Sequence, residues 1–149
     1  MKYNNEELIE KFTNFLQTFR DVAEPKYTPL INDMCSKGKV SLDVDFNDLI
    51  EIDPDLMDIY INEPESAFSA SCIALKEVVK LQCNPTKEKE YFFRIHNLPN
   101  TQVCKVKDIN DEHVHKMVQI TGVITLASYR DFFMKEAVYK CERCGEYHT

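Results

Sequence analysis

Residues 53–82 read DPDLMDIYINEPESAFSASCIALKEVVKLQ, and residues 90–99 read EYFFRIHNLP. Between the two the spacing of apolar side chains changes, and that change sets the expected fold class. Asp53 is a natural N-cap, and Pro54 fits the first helical position, where a missing N–H costs nothing. Pro64 opens a second helix in the same way, in which Phe68, Cys72, Leu75, Val79 and then Leu81 or Gln82 recur at helical spacing. The polar stretch CNPTKEKE (83–90) reads as a linker. After it the period is two, the signature of strands.

Upstream, NNEELIEKFTNFLQTFRD (4–21) places Leu8, Ile9, Phe12, Phe15, Leu16 and Phe19 on one broad helical stripe. Asn4 and Glu7 have the spacing of a capping box, and Pro25 lies beyond the far end. A membrane-surface helix would carry a basic polar face; this one is acidic, so the stripe is expected to face a core. In KVSLDVDFNDL (39–49), Val40, Leu42, Val44 and Phe46 alternate with polar residues, which predicts a short strand with one wet face.

Downstream, DINDEHVHKM (108–117) predicts a turn or one short helix. KMVQITGVITLASYR (116–130) predicts a long strand with Val118, Ile120, Ile124 and Leu126 on one face, and MKEAVYKC (134–141) a further strand. Gly122 replaces an apolar residue on that face and marks a bend of the kind small barrels use. The expectation is α+β: a helical subdomain over 1–84, then the start of an antiparallel β-domain over 85–149 with too few strands to close.

The charge is divided unevenly. The chain of 149 residues carries a formal charge of −7, yet residues 1–90 hold 10 Lys/Arg against 18 Asp/Glu, and residues 91–149 hold 8 against 7. Residues 41–65 contain nine acids and no Lys or Arg. Such a front half repels a phosphate backbone, so any nucleic-acid contact is expected in the back half. Helix starts favour acids, which accounts for part of the cluster; a surface for a protein partner is the sharper reading of the rest, beside a plain solvated face. No apolar run approaches the roughly 20 residues that span a bilayer. The start, MKYNNEELIEK, has the pattern of neither a signal peptide nor a transit peptide, so the cytosol or nucleus is expected.

Four cysteines, Cys35, Cys72, Cys83 and Cys104, lie singly and read as buried free thiols. Cys141 and Cys144 form C-x-x-C-G near the end of the sequence. Two thiolates on a tight turn can grip one metal ion, and Gly145 allows backbone N–H groups to aim at sulfur. This is the pattern of half a structural zinc site, which ordinarily has four protein ligands. A redox pair would sit at a helix N-terminus, and no room for such a helix follows Cys144. His148 is a possible third ligand. His96, His113 and His115 have no cysteine or carboxylate motif around them and read as surface residues. Three glycines in the whole chain leave no phosphate-cradling loop, and no G-x-S-x-G or H-E-x-x-H occurs. An enzyme is not expected. Arg130, Lys135 and Lys140, interleaved with Tyr129, Phe132, Phe133 and Tyr139, suit single-stranded nucleic acid through phosphate contacts and stacking. Wet strand edges and core aromatics explain the same composition.

Three stretches in order carry a family resemblance. SLDVDFNDLIEIDPDLMDIYINEPESAF (41–68) resembles the acidic helical segment that opens minichromosome maintenance (MCM) proteins. FFRIHNLPNTQVCKVKDINDEHVHKMVQITGVIT (92–125) resembles the stretch that follows it there, with its NLP, a short connection and a V-x-V-x-G-x-V type strand leading into a barrel. AVYKCERCG (137–145) resembles the strand that enters the family's zinc module. The resemblance is nearest to the single-subunit archaeal type. It implies a non-catalytic N-terminal region of a replicative DNA helicase: a helical subdomain, then the first strands of an OB-fold interrupted by a zinc module, of which Cys141 and Cys144 form half. It further implies single-stranded DNA, other MCM subunits and a replication factor at the acidic half as partners, with Zn2+ in this region and ATP in the parent protein. In the family two basic residues about five apart face DNA; Arg130 matches the second, whereas the first falls on uncharged Thr125. The alternatives are an acidic adaptor and a stand-alone OB or zinc-ribbon module. The compartment follows the source: cytoplasmic and nucleoid-associated in a prokaryote, nuclear in a eukaryote.

Overall fold

The computed structural model describes residues 3–85, 87, 89–129, 131 and 137–148, without the side chain of His148. Five helices carry most of it: α1 (Asn5–Thr18), α2 (Tyr27–Ser36), α3 (Phe46–Ile52), α4 (Pro54–Asn62) and α5 (Pro64–Cys83). The short strands are β1 (Arg20–Asp21), β2 (Glu24–Pro25), β3 (Ser41–Asp45), β4 (Phe92–His96), β5 (Val103–Lys105), β6 (Gln119–Thr121), β7 (Tyr139–Lys140) and β8 (Tyr147–His148).

The local signals explain the helix starts. The Asn4 N–H donates to the Glu7 carboxylate at 2.9 Å, closing the expected capping box of α1. Asp53 caps α4 by accepting from the Asp55 N–H at 3.0 Å, and Pro54 and Pro64 open α4 and α5. Asp45 caps α3 by accepting from the Asn47 N–H at 2.9 Å.

The core is aromatic. Leu8, Phe12, Phe15 and Leu16 of α1 are buried as their spacing requires. Phe12 meets Tyr60 and Phe93 edge-on, with ring centroids 5.7 and 5.9 Å apart, the arrangement the ring quadrupoles favour. Tyr27 of α2 packs on Phe15 at 5.0 Å. On α5 the buried stripe is Ala67, Ala70, Ser71, Ala74, Leu75, Val78 and Val79, which corrects the stripe expected through Phe68, Cys72 and Leu81. Small residues bring α5 close to α1, and Phe68 and Leu81 are left on the outside.

Two expectations about strands are overturned. The back half was expected to be antiparallel, but β3 pairs with β4 in parallel, Ser41 opposite Phe92 through Asp45 opposite His96. The pair β5–β6 is also parallel. Leu42, Val44 and Phe93 thereby enter one core with the helices, and packing crosses the polar linker. Among the described residues of the long strand expected over 116–130, a ladder forms only at Gln119–Thr121. β5 offers three residues to pair with, and the ladder stops one residue short of Gly122. Alternation states which face a strand would bury, but a ladder forms only where a neighbouring strand supplies hydrogen bonds. Among the described residues the strands lie in four separate two-stranded pairs, and no barrel sheet forms.

Candidate metal half-site and basic face

β7 and β8 run antiparallel, with Tyr139 opposite His148 and Lys140 opposite Tyr147. The turn between them holds Cys141 and Cys144. It is closed by the Cys141 N–H donating to Glu146 C=O and the Gly145 N–H donating to Cys141 C=O, both at 2.8 Å. Gly145 has φ of +75°, a left-handed conformation that a Cβ disfavours. The backbone N–H groups of Cys144 and then Arg143 donate to the Cys141 sulfur and hold its thiol below the usual range. Donors aimed at sulfur stabilise the thiolate, the form that binds a metal ion. The Cys144 thiol faces the Glu146 carboxylate, Sγ to Oε2 at 3.8 Å.

The donor set fits half of a tetrahedral zinc shell. Among the described residues no group of three or more His, Cys, Asp or Glu side chains converges to hold a metal ion. The remaining ligands would come from outside this set; His148 contributes only backbone to what is described. The other cysteines differ. Burial, followed by a hydrogen bond to Cys83, pushes Cys35 up to about 12, and burial raises Cys72. Burial thus disfavours the thiolate form of both.

Of the expected DNA-contacting residues, only Lys140 is described. It lies on β7 with its ammonium 5.5 Å from the centre of the Tyr147 ring. Arg130 and Lys135, with Phe132 and Phe133, fall outside the described residues. Tyr129 and Tyr139 are exposed.

Part of the acidic segment 41–65 is engaged within the fold. Asp48 is buried and accepts from Lys26 Nζ at 2.6 Å and from the Tyr27 hydroxyl. The Lys11 ammonium bonds Asp53, and the Tyr3 hydroxyl donates to Asp55 at 2.6 Å. Burial pushes Asp45 up, but the Asn47 N–H, the Asn97 amide at 2.7 Å and the charge of His96 together outweigh it and hold the carboxyl low. Four of the nine acids thus serve caps and interior pairs. Sequence spacing missed these pairs because each joins residues from 21 to 52 positions apart. His96 and His115 are exposed and His113 is half-buried: His113 Nδ1 accepts from the Asn110 N–H at 3.2 Å in a capping box, and His96 sits beside Asp45.

Comparison with known proteins bears on both halves. Residues 9–99 match the model of the MCM N-terminal domain. The chain is 33% identical over 144 residues to the DNA replication licensing factor MCM4 of Oryza sativa subsp. japonica, an alignment covering 89% of this chain and 16% of that protein. It is 27% identical over 146 residues to MCM2 of Arabidopsis thaliana, covering 93% of this chain and 15% of that protein. A third relative, mcm2 of Xenopus laevis, is 27% identical over 143 residues, covering 93% and 16%. These relatives are eukaryotic, so the expected nearness to the archaeal type finds no support. The chain spans about one-sixth of the length of the curated relatives it matches. Within that share the model of the N-terminal domain covers residues 9–99. A helical core built from residues 8–95, in the stretch where the family model matches, makes this chain a member of the MCM N-terminal domain family.

Proposed function

We propose that this chain is the non-catalytic N-terminal region of an MCM replicative helicase, engaging DNA and joining other MCM subunits into a ring of six. The observation that carries this reading is the family match over residues 9–99. The printed names of the relatives, DNA replication licensing factors, support a role in replication. Their eukaryotic sources support a nuclear location. The parent protein would supply ATP-driven unwinding, and this region would position DNA and subunits for it.

The exposed apolar residues Ile120, Val123, Ile124 and Leu126 are read as strand residues of an OB-fold completed by further strands of the parent. Cys141 and Cys144 would hold Zn2+ together with a second pair of ligands, from the parent or a neighbouring chain. Metal bound there would brace the turn and need supply no chemistry. The N–H groups aimed at the Cys141 sulfur give a direct check: iodoacetamide should modify Cys141 at lower pH than Cys35, as followed by peptide mass spectrometry. Equal pH midpoints would remove the support that the backbone N–H groups lend to metal binding.

Arg130, Lys135 and Lys140 are the proposed DNA contacts. Three phosphate contacts on a single strand, each adding about −0.7, give a salt slope near −2, so binding by this chain alone should fade toward physiological salt. The test is a pair of measurements: anisotropy of a labelled oligothymidine at two salt concentrations, and sedimentation of the chain mixed with N-terminal regions of other MCM subunits. Salt-sensitive binding weakened by Arg130→Ala, with larger species in the mixture, is expected. A chain that neither binds nor associates overturns the proposal.

A further inference from the structure

Tyr91 stands between an apolar groove and a basic hollow, on a face that the DNA reading does not use. The groove, of about 350 Å³, runs between α5 and β4 and is lined by Phe68, Cys72, Ile73 and Phe92. Phe68, Ile73 and Phe92 are 42%, 43% and 37% exposed, which is an unusual use of three large apolar side chains side by side. Past Lys76 and Tyr91 the groove continues into a hollow of about 220 Å³ that also takes in Lys80 and Lys89. That hollow shares Pro85, Lys89 and Tyr91 with another, of about 280 Å³, where Lys39 and Lys87 join them. Neither basic hollow has a carboxylate among the described residues of its lining. Lys39, Lys87 and Lys89 have no ion-pair partner among the described residues, whereas Lys76, Lys80 and Glu90 are engaged.

The local sign is opposite to that of the molecule. A chain of net charge −7 gathers five lysines around the ends of α2 and α5. Glu90 lines the groove and is engaged; at physiological salt the screening length is about 8 Å, so a ligand seated in the basic hollows feels Lys39, Lys87 and Lys89 more than the acids of residues 41–65. We infer that this tract is a docking site for a short segment of a partner protein that has apolar anchors at one end and acidic residues at the other. The anchors would fill the groove beside Ile73 and Phe92, and the carboxylates would meet Lys39, Lys87 and Lys89. The mode is that of an amphipathic segment laid in an apolar groove with charge setting its direction. A nucleic-acid strand fits less well. Its bases need open aromatic faces, and here both phenylalanines share the groove with Ile73 and Cys72.

The test uses the full chain and three labelled probes. The first is a peptide with Leu and Phe at helical spacing followed by a run of Glu; the second is the same peptide with Gln for Glu; the third is oligothymidine. Fluorescence anisotropy should show the first bound and the second at least about tenfold weaker. The double variant K39E/K89E and the single variant I73S should each weaken the first peptide by at least about tenfold, with thermal midpoints unchanged by circular dichroism. If a variant loses its fold, Lys87→Glu on the exposed linker answers the charge question. No binding of the first peptide, or binding indifferent to these changes, overturns the proposal. Oligothymidine binding that K39E/K89E abolishes, with the peptide unbound, overturns it in favour of nucleic acid.

Discussion

Residues 3–96 and residues 103–148 have similar apolar chemistry and opposite outcomes. In the first region Phe12, Phe15, Tyr60 and Val78 are 0% exposed. In the second, Val123, Ile124 and Leu126 are 89%, 86% and 87% exposed. The helices of the first region are backed by their own neighbours: α1 lies on α5, α2 on α1 and α5, and β4 closes against β3. Among the described residues of the second region the strands are two or three residues long, and no second layer covers them. Apolar patterning creates a demand for burial, and only a second layer meets it. Stability is therefore expected to reside almost wholly in the first region, and changes in the two should differ sharply.

The largest effect is expected from Phe12→Ala. The ring fills the junction of Tyr60 and Phe93, and its loss should cost about 3–5 kcal/mol, read from the denaturant midpoint. A loss below about 1 kcal/mol would mean the core is far looser than its burial states. Next comes Asp48→Ala. It leaves the buried Tyr27 hydroxyl without its acceptor, at about 1–3 kcal/mol. If the variant unfolds at the wild-type midpoint, this link between α2 and α3 contributes nothing.

A smaller effect, of opposite sign, is expected in the two-residue turn between β1 and β2. Val22 sits there at φ of +60° and is wholly exposed. A β-branched side chain is strained in that conformation and asparagine is not, so Val22→Asn should add about 1 kcal/mol. A lower thermal midpoint would contradict this. The smallest effect belongs to the second region. Ile124→Ser should change stability by less than about 0.5 kcal/mol and should raise solubility. A loss comparable with that of Phe12→Ala would erase the contrast between the two regions.

What could be read in advance follows from the range of the signals. Caps and proline boundaries act within four residues, so Asn4 with Glu7, Asp53 with Pro54, and Pro64 were legible. The turn around Cys141 was legible for the same reason, since its cysteines and Gly145 are adjacent in sequence. α2 was not: its N-cap, Lys26, provides no side-chain cap, and Pro29 lies in its first turn. α3 hid behind β3, because Phe46 continues the alternation of Val40, Leu42 and Val44 while already lying in the helix. The stripe on α5 was misread because alanines carry it, and alanine gives little periodic signal. Strand partners cannot be read from one strand, which is why the parallel pairing of β3 with β4 and the short ladder of β6 emerged only from the structure. Of the three proposed DNA contacts, Lys140 lies on β7, while Arg130 and Lys135 fall outside the described residues, so the proposed face was legible as composition only.

The parallel pairing of β3 with β4 has a consequence for the chain during synthesis. β4 is made roughly 50 residues after β3, and at about 5–20 residues per second that is a wait of several seconds. Through that interval Leu42 and Val44 have no partner strand, and Phe12 lacks the ring of Phe93. Closing so long a connection also slows folding after release, because non-local pairing must overcome loop entropy before it gains contacts. The helices can assemble early, but they are sealed only when residue 96 has left the ribosome. A chain stalled at the polar linker would therefore be a substrate for chaperones, whereas one stalled after His96 would already hold its core.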